Sequence, residues 1–72
     1  MSNTETINIV VNGESHVIPG GGRLPDLLLH LAVDPSRVAI ELNRRIVRKP
    51  DWPDTAINEG ATIEIVHFVG GG

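Results

Sequence analysis

Only one segment of this 72-residue chain has a helical apolar period, and the segments on either side of it alternate instead. Leu24, Leu27, Leu28 and Leu31 recur at spacings of three and four, marking one face of a short helix over residues 24–31. Pro25 suits the first turn, where its missing N–H costs nothing, and Asp26 lies near the positive end of the helix dipole. Asp34-Pro35 closes the segment, because a residue before proline disfavours the α region. One helix is too little to cover both faces of a sheet. The expected fold is therefore α+β, with this helix packed across one face of a mixed sheet of about four to five strands.

The strands follow from period-two alternation. Ile7, Ile9 and Val11 share one face of the first, and Asn12-Gly13 then supplies a two-residue hairpin turn, since both positions tolerate φ > 0. The return strand covers residues 14–18, and Pro19 stops it by removing a ladder donor. Gly20-Gly21-Gly22-Arg23 reads as a flexible connection to the helix. Beyond the helix, Val38, Ile40 and Leu42 face one way on a third strand. Asn43-Arg44 makes a second tight turn into a short strand over residues 45–48. Residues 49–54 are irregular, amounting to one helical turn, with Trp52 plugging the core between Pro50 and Pro53. Glu59-Gly60 turns the chain into a last strand over residues 62–68. Ile63, Ile65 and His67 lie on one side of it, and Thr62, Glu64, Val66 and Phe68 on the other. The order is ββαβ(β)β in a single domain spanning 1–72, without repeat or linker.

Composition removes several kinds of chemistry. There is no cysteine, so disulfide staples, thiolate zinc sites and thiol nucleophiles are excluded. A small chain without staples depends on its apolar core, and Leu, Ile, Val and Phe supply about a third of it, above the roughly 20% associated with disorder. A net charge of −3 disfavours binding to phosphate backbones, so no nucleic-acid partner is expected. The first six residues lack the layout of a secretion signal, and no apolar stretch approaches the roughly 20 residues of a membrane span. The expectation is a soluble cytoplasmic protein with no membrane partner.

No catalytic residue and no metal ligand is assigned. His16, His30 and His67 lack metal-ligand spacing, and Glu41 and Glu64 read as solvated pleat positions. The glycines before the helix lack the lysine and hydroxyl of a phosphate loop. Arg44, Arg45, Arg48 and Lys49 gather four of the six basic residues within six positions. This is either a solvated hairpin face or a docking site for an acidic partner.

The remaining feature is the end, Val69-Gly70-Gly71-Gly72. Glycines are costly to order, so Gly70, Gly71 and Gly72 are expected to form a flexible tail. A stretch without Cβ atoms can be drawn extended through a narrow tunnel, presenting the α-carboxylate of Gly72. That carboxylate becomes reactive to acyl transfer only when an oxygen is made a leaving group, for instance as a mixed anhydride with AMP. A flexible end without a role is the alternative.

The element order and the Gly-Gly end together resemble the ubiquitin-like β-grasp sulfur carriers, in particular the ThiS family of thiamin (thiazole) biosynthesis. The matching residues are Ala39-Ile40-Glu41-Leu42-Asn43, Ile46-Val47, Trp52, residues 58–65, and Val66-His67-Phe68-Val69-Gly70-Gly71-Gly72. Nearly the whole chain after its first few residues is covered, most specifically in the last third. Arg44 and Ala61 depart from the pattern, at positions where a glycine or glutamine and an aspartate are common.

The resemblance implies a carrier and not an enzyme. A ThiF-like E1-type adenylyltransferase would activate Gly72 with ATP, and the carrier would hold no stable cofactor of its own. Sulfur from a cysteine desulfurase would replace AMP to give a thiocarboxylate, which would serve a ThiG-like thiazole synthase. Gly72 carries over as the sulfur-bearing residue and Gly71 as the second glycine of the motif. Phe68 and Val69 carry over as part of a partner-docking surface. The small subunit of molybdopterin synthase, a carrier for another thiolated metabolite and a ubiquitin-like protein modifier share this kind of end. A plain binding module with an idle tail is the remaining alternative.

Overall fold

The computed structural model describes residues 5–68. β1 (Thr6–Val11) and β2 (Glu14–Pro19) form an antiparallel hairpin with Val11 opposite Glu14. Asn12 and Gly13 between them have φ of 50° and 82°, a turn whose twist matches that of the flanking strands. The pairing runs one step beyond the sequence expectation. Pro19 lies opposite Thr6, and the next N–H, of Gly20, donates to the Glu5 carbonyl at 2.8 Å. Proline is tolerated here because β2 is an edge strand and the register aims position 19 at solvent.

The glycine connection is not the free loop expected from its composition. Ile57 N–H donates to the Gly22 carbonyl and Leu24 N–H to the Thr55 carbonyl, both at 3.2 Å, and Arg23 forms an isolated bridge with Ala56. The chain is thus pinned where it enters α1 (Leu24–His30). Arg23 N–H donates to the Asp26 carboxylate at 2.8 Å, satisfying one of the open donors at the helix start. Leu24, Leu27 and Leu28 are buried, and Leu31, just past the helix, is half-buried.

The helix closes before Asp34-Pro35 and by a different device. Ala32 adopts φ 58°, while Ala32 and Val33 N–H groups donate to the carbonyls of Leu29 and Leu28 at 3.1 and 2.9 Å. This closure normally favours glycine at the left-handed position. Ala32→Gly is expected to raise stability by about 1 kcal/mol, read as a higher urea midpoint at unchanged slope. Asp34 then caps a short 3₁₀ helix, η1 (Pro35–Arg37). Its carboxylate accepts from the Ser36 N–H and hydroxyl, which hold the acid below its ordinary value.

β3 (Val38–Leu42) and β4 (Arg45–Val47) form the second hairpin, with Leu42 opposite Arg45. Asn43 and Arg44 take φ of 51° and 72°, so an arginine occupies the left-handed position filled by glycine in the first hairpin. Arg44→Gly should also gain about 1 kcal/mol in the same denaturation experiment. After β4, η2 (Lys49–Asp54) is a 3₁₀ helix that buries Trp52, whose indole N–H donates to the Val47 carbonyl at 2.9 Å.

β5 (Thr62–His67) is central in the sheet order β2-β1-β5-β3-β4, parallel to β1 and antiparallel to β3. Ile9, Val11, Ile18, Ile40, Ile63 and Ile65 line the buried face of this mixed five-stranded sheet, against α1. Trp52, Ile57 and Ala61 close the core, and the expected one-helix architecture holds. Both departures from the family pattern find a physical account. Arg44 keeps a tight turn at the cost of strain, and Ala61 is buried, where an aspartate would lose its hydration.

Two asparagines stitch β5 in place from the hairpin turns. Val10 N–H and Asn12 N–H donate to the Ala61 and Ile63 carbonyls at 2.9 and 2.8 Å. The β1 backbone then turns away, and the Asn12 side chain takes over. It accepts from Ile65 N–H at 2.8 Å and donates to the Ile65 carbonyl at 3.2 Å. On the other flank, Asn43 N–H donates to the Thr62 carbonyl at 2.7 Å and its side chain accepts from Thr62 N–H at 3.0 Å. Asn12→Ala would strip both Ile65 groups of their partners and leave a Cβ residue at positive φ. The expected loss is about 2–4 kcal/mol by urea denaturation, and Asn12→Asp, which keeps the acceptor, should cost less.

Candidate functional site

The candidate site lies where the central strand leaves the sheet. Ile63 and Ile65 anchor β5 in the core, and hydrogen bonds hold it on both edges. The last such bond among the described residues runs from Phe68 N–H to the Arg37 carbonyl at 2.8 Å. The chain continues from this mount into Val69, Gly70, Gly71 and Gly72, the residues assigned to docking, tether and reactive carboxylate. These four lie outside the described residues.

The mount presents an open sheet face opposite α1. Val66 is 54% exposed and Phe68 is 59% exposed, so Phe68 is not a core aromatic and is available on the surface. Ala39 sits opposite Val66 on β3, while Ile46 and Val17 add exposed apolar side chains on the outer strands. Glu41 and Glu64 are opposed in register on this face. Two like charges so placed weaken the sheet slightly, and they remain in contact with water. His67 shares the register side of Ile63 and Ile65 yet is exposed, being the last residue of β5.

Other features singled out in the sequence stay apart from this exit. His30 is exposed in the last turn of α1, and half-buried His16 has its Nε2 3.8 Å from the Glu14 carboxylate. Among the described residues, no group of three or more His, Asp or Glu side chains is placed to hold a metal ion. The glycine turn borders a pocket of about 250 Å³ with Arg23, Asp26, His30 and Ile57. The Asp26 carboxylate already occupies the electropositive helix start there, so a phosphate would meet a negative charge. Arg44, Arg45, Arg48 and Lys49 are all exposed. No described helix is long and apolar enough to cross a membrane. Sequence reasoning placed Asn12 and Asn43 in their turns but missed their side-chain bonds to β5, and it missed the burial of Ile57. The bidentate amide of Asn12 gave no signal beyond its turn propensity.

Comparison with known proteins agrees with this geometry. The ThiS family model matches residues 3–72. The chain is 38% identical over 66 residues to a thiazole synthase from Magnetococcus marinus, a match covering 92% of this chain but only 20% of that protein. It is 37% identical over 51 residues to the sulfur carrier protein ThiS of Bacillus subtilis, covering 71% of this chain and 77% of that one. The crystal structure of the thiamine biosynthesis protein ThiS from Geobacter metallireducens superposes with a TM-score of 0.80 at 29% identity, over 92% of this chain and all of that one. With a matching architecture, a match through residue 72 and a sulfur carrier among its relatives, the chain belongs to the ThiS family of sulfur carriers, on the ubiquitin-like β-grasp fold.

Proposed function

We propose that this protein carries sulfur for thiazole formation as a thiocarboxylate on Gly72. An E1-type enzyme supplies ATP, and a carboxylate oxygen of Gly72 attacks the α-phosphorus to give an acyl-adenylate and pyrophosphate. The terminal sulfur of a cysteine-desulfurase-derived persulfide attacks the carbonyl and AMP leaves. A second thiol cleaves the S–S bond, becoming the disulfide partner and leaving the thiocarboxylate. The carrier delivers that sulfur to thiazole synthase and regains its carboxylate on hydrolysis. ATP is the partner's substrate here, and the carrier itself holds no cofactor and performs no catalysis. A cytoplasmic location goes with this reading, since ATP and a persulfide donor are required.

The observation that carries the proposal is the family match running through Gly70, Gly71 and Gly72, directly beyond a strand locked at the centre of the sheet. Support for the acceptor comes from relatives named thiazole synthase, in which the matched region makes up a fifth of the length. Fusing a carrier to its acceptor raises the local concentration of one for the other. Intact-protein mass spectrometry after incubation with the adenylating enzyme, ATP, cysteine and a desulfurase tests the chemistry. The expected result is one oxygen-to-sulfur exchange at the C-terminus, and its absence refutes the carrier reading. Attachment of the tail to lysines of other proteins would make the protein a modifier instead.

A further inference from the structure

Carrier chemistry leaves the basic residues in and just after the second hairpin without a role, apart from Lys49, whose ammonium lies 5.5 Å from the centre of the Trp52 ring. Residues 44–49 contain four of the six cations and none of the nine carboxylates, so a net charge of −3 divides into +4 there and −7 elsewhere. Among the described residues the one basic side chain within 4 Å of a carboxylate is His16, beside Glu14, and none of these four cations has a carboxylate within salt-bridge distance. The turn also keeps Arg44 at φ 72° where the first hairpin uses Gly13. Backbone strain at an exposed position, held for a charged side chain, is a mark of function outside the fold.

Ile46, between these cations, is 74% exposed on the edge strand β4. Its partner Glu41 directs its own backbone groups toward Glu64 on β5, so the N–H and carbonyl of Ile46 point outward from the sheet. An apolar anchor rimmed by arginines, beside an open strand edge, has the anatomy of a protein-binding surface. A long polyanion would lie across the −7 remainder and be repelled, whereas a compact acidic face meets only the hairpin.

We infer that β4 and its turn dock an acidic, partly apolar face of the activating enzyme, orienting the carrier before its tail is adenylated. The partner's identity rests on the carrier reading. Steering of this kind acts on association and is screened by salt.

The test follows adenylation of the full chain by its E1-type enzyme, as ATP–pyrophosphate exchange over a series of salt concentrations. The paired substitutions Arg45→Glu and Arg48→Glu should raise KM for the chain about tenfold at low salt, leave kcat unchanged and flatten the salt dependence. Arg44→Gly removes a charge while relieving the turn, so it should raise KM in a protein more stable than the parent, which separates docking from unfolding. Unchanged KM and salt slope in both variants overturn the inference. If the parent chain is not adenylated at all, the carrier reading fails, and amide NMR with a peptide of alternating Glu and Leu decides the surface independently. Shifts centred on residues 44–49 support it. No shifts there, larger ones with a single-stranded oligonucleotide, or the same shifts on concentrating the free protein overturn it.

Discussion

Deleting Gly71 and Gly72 is expected to abolish thiocarboxylate formation while leaving folding stability within about 0.5 kcal/mol of the parent chain. Among the described residues the buried ones all fall between Ile9 and Ile65, and the last described backbone bond of the sheet is donated by Phe68. The deletion therefore spares every described residue of the core and the ladder. It does withdraw the reacting carboxylate by about 7 Å of extended chain, at roughly 3.5 Å per residue. A 1 Å displacement at a reacting centre can cost a hundredfold in rate, so this retreat should reduce adenylation to background. Gly72→Ala is a finer probe, since it keeps the reach and adds one methyl group at the carbon next to the carbonyl. Pyrophosphate exchange and intact mass, measured beside urea denaturation, check both variants. Adenylation of the truncated chain at the parent rate would mean that Gly72 is not the acceptor.

The second large effect is on stability. Ile63→Ala should cost about 3–5 kcal/mol. Ile63 is 0% exposed on the central strand, with neighbours on both sides of it in the sheet and α1 above, so the cavity cannot be filled by one flank relaxing. Domains of this size commonly have only about 4–10 kcal/mol in total, and the variant should be substantially unfolded at physiological temperature. Circular dichroism in urea gives the measurement, with Ile63→Val, expected to lose about 1 kcal/mol, as the graded control. On the opposite face of the same strand, Val66→Ala removes methyl groups that already meet water and should change stability by less than about 0.5 kcal/mol. Equal losses at 63 and 66 would contradict the one-sided packing of β5.

Most of this architecture was legible because its signals are local. The leucine period placed α1, Asn12-Gly13 placed a hairpin, and the alternation around Ile63 and Ile65 gave the correct buried side of β5. Errors arose where distant residues decide the outcome. The Gly20–Gly22 segment has a loop's composition, yet it is pinned by carbonyl and amide groups from residues 55 to 57, which no local pattern reports. Ala32 closes the helix although nothing in its chemistry favours positive φ; the buried side chains of α1 and β3 fix the path between them. His67 keeps the alternation but not the burial, because exposure at a strand end depends on what lies above it. The site divides in the same way. The tail glycines and the Gly72 carboxylate, the reacting end of the proposed carrier, lie outside the described residues, whereas the availability of Phe68 depended on which sheet face the helix leaves open.

The parallel pairing of β1 with β5 has a consequence for how the molecule is made. Asn12 and Ile65 are 53 residues apart in sequence, so the middle of the sheet can be completed only after almost all of the described chain is available. Contacts of such long range make folding slower than in helical domains of similar size. On a ribosome, the first hairpin and the helix must wait with their apolar faces incomplete until the last strand emerges. The glycines that follow this strand are thus the next residues to appear once closure becomes possible. In the proposed carrier, foldedness and possession of the reacting end are thereby linked. A chain cut short before β5 would lack its central strand and be exposed to proteolysis, instead of persisting as a folded domain without its last residues.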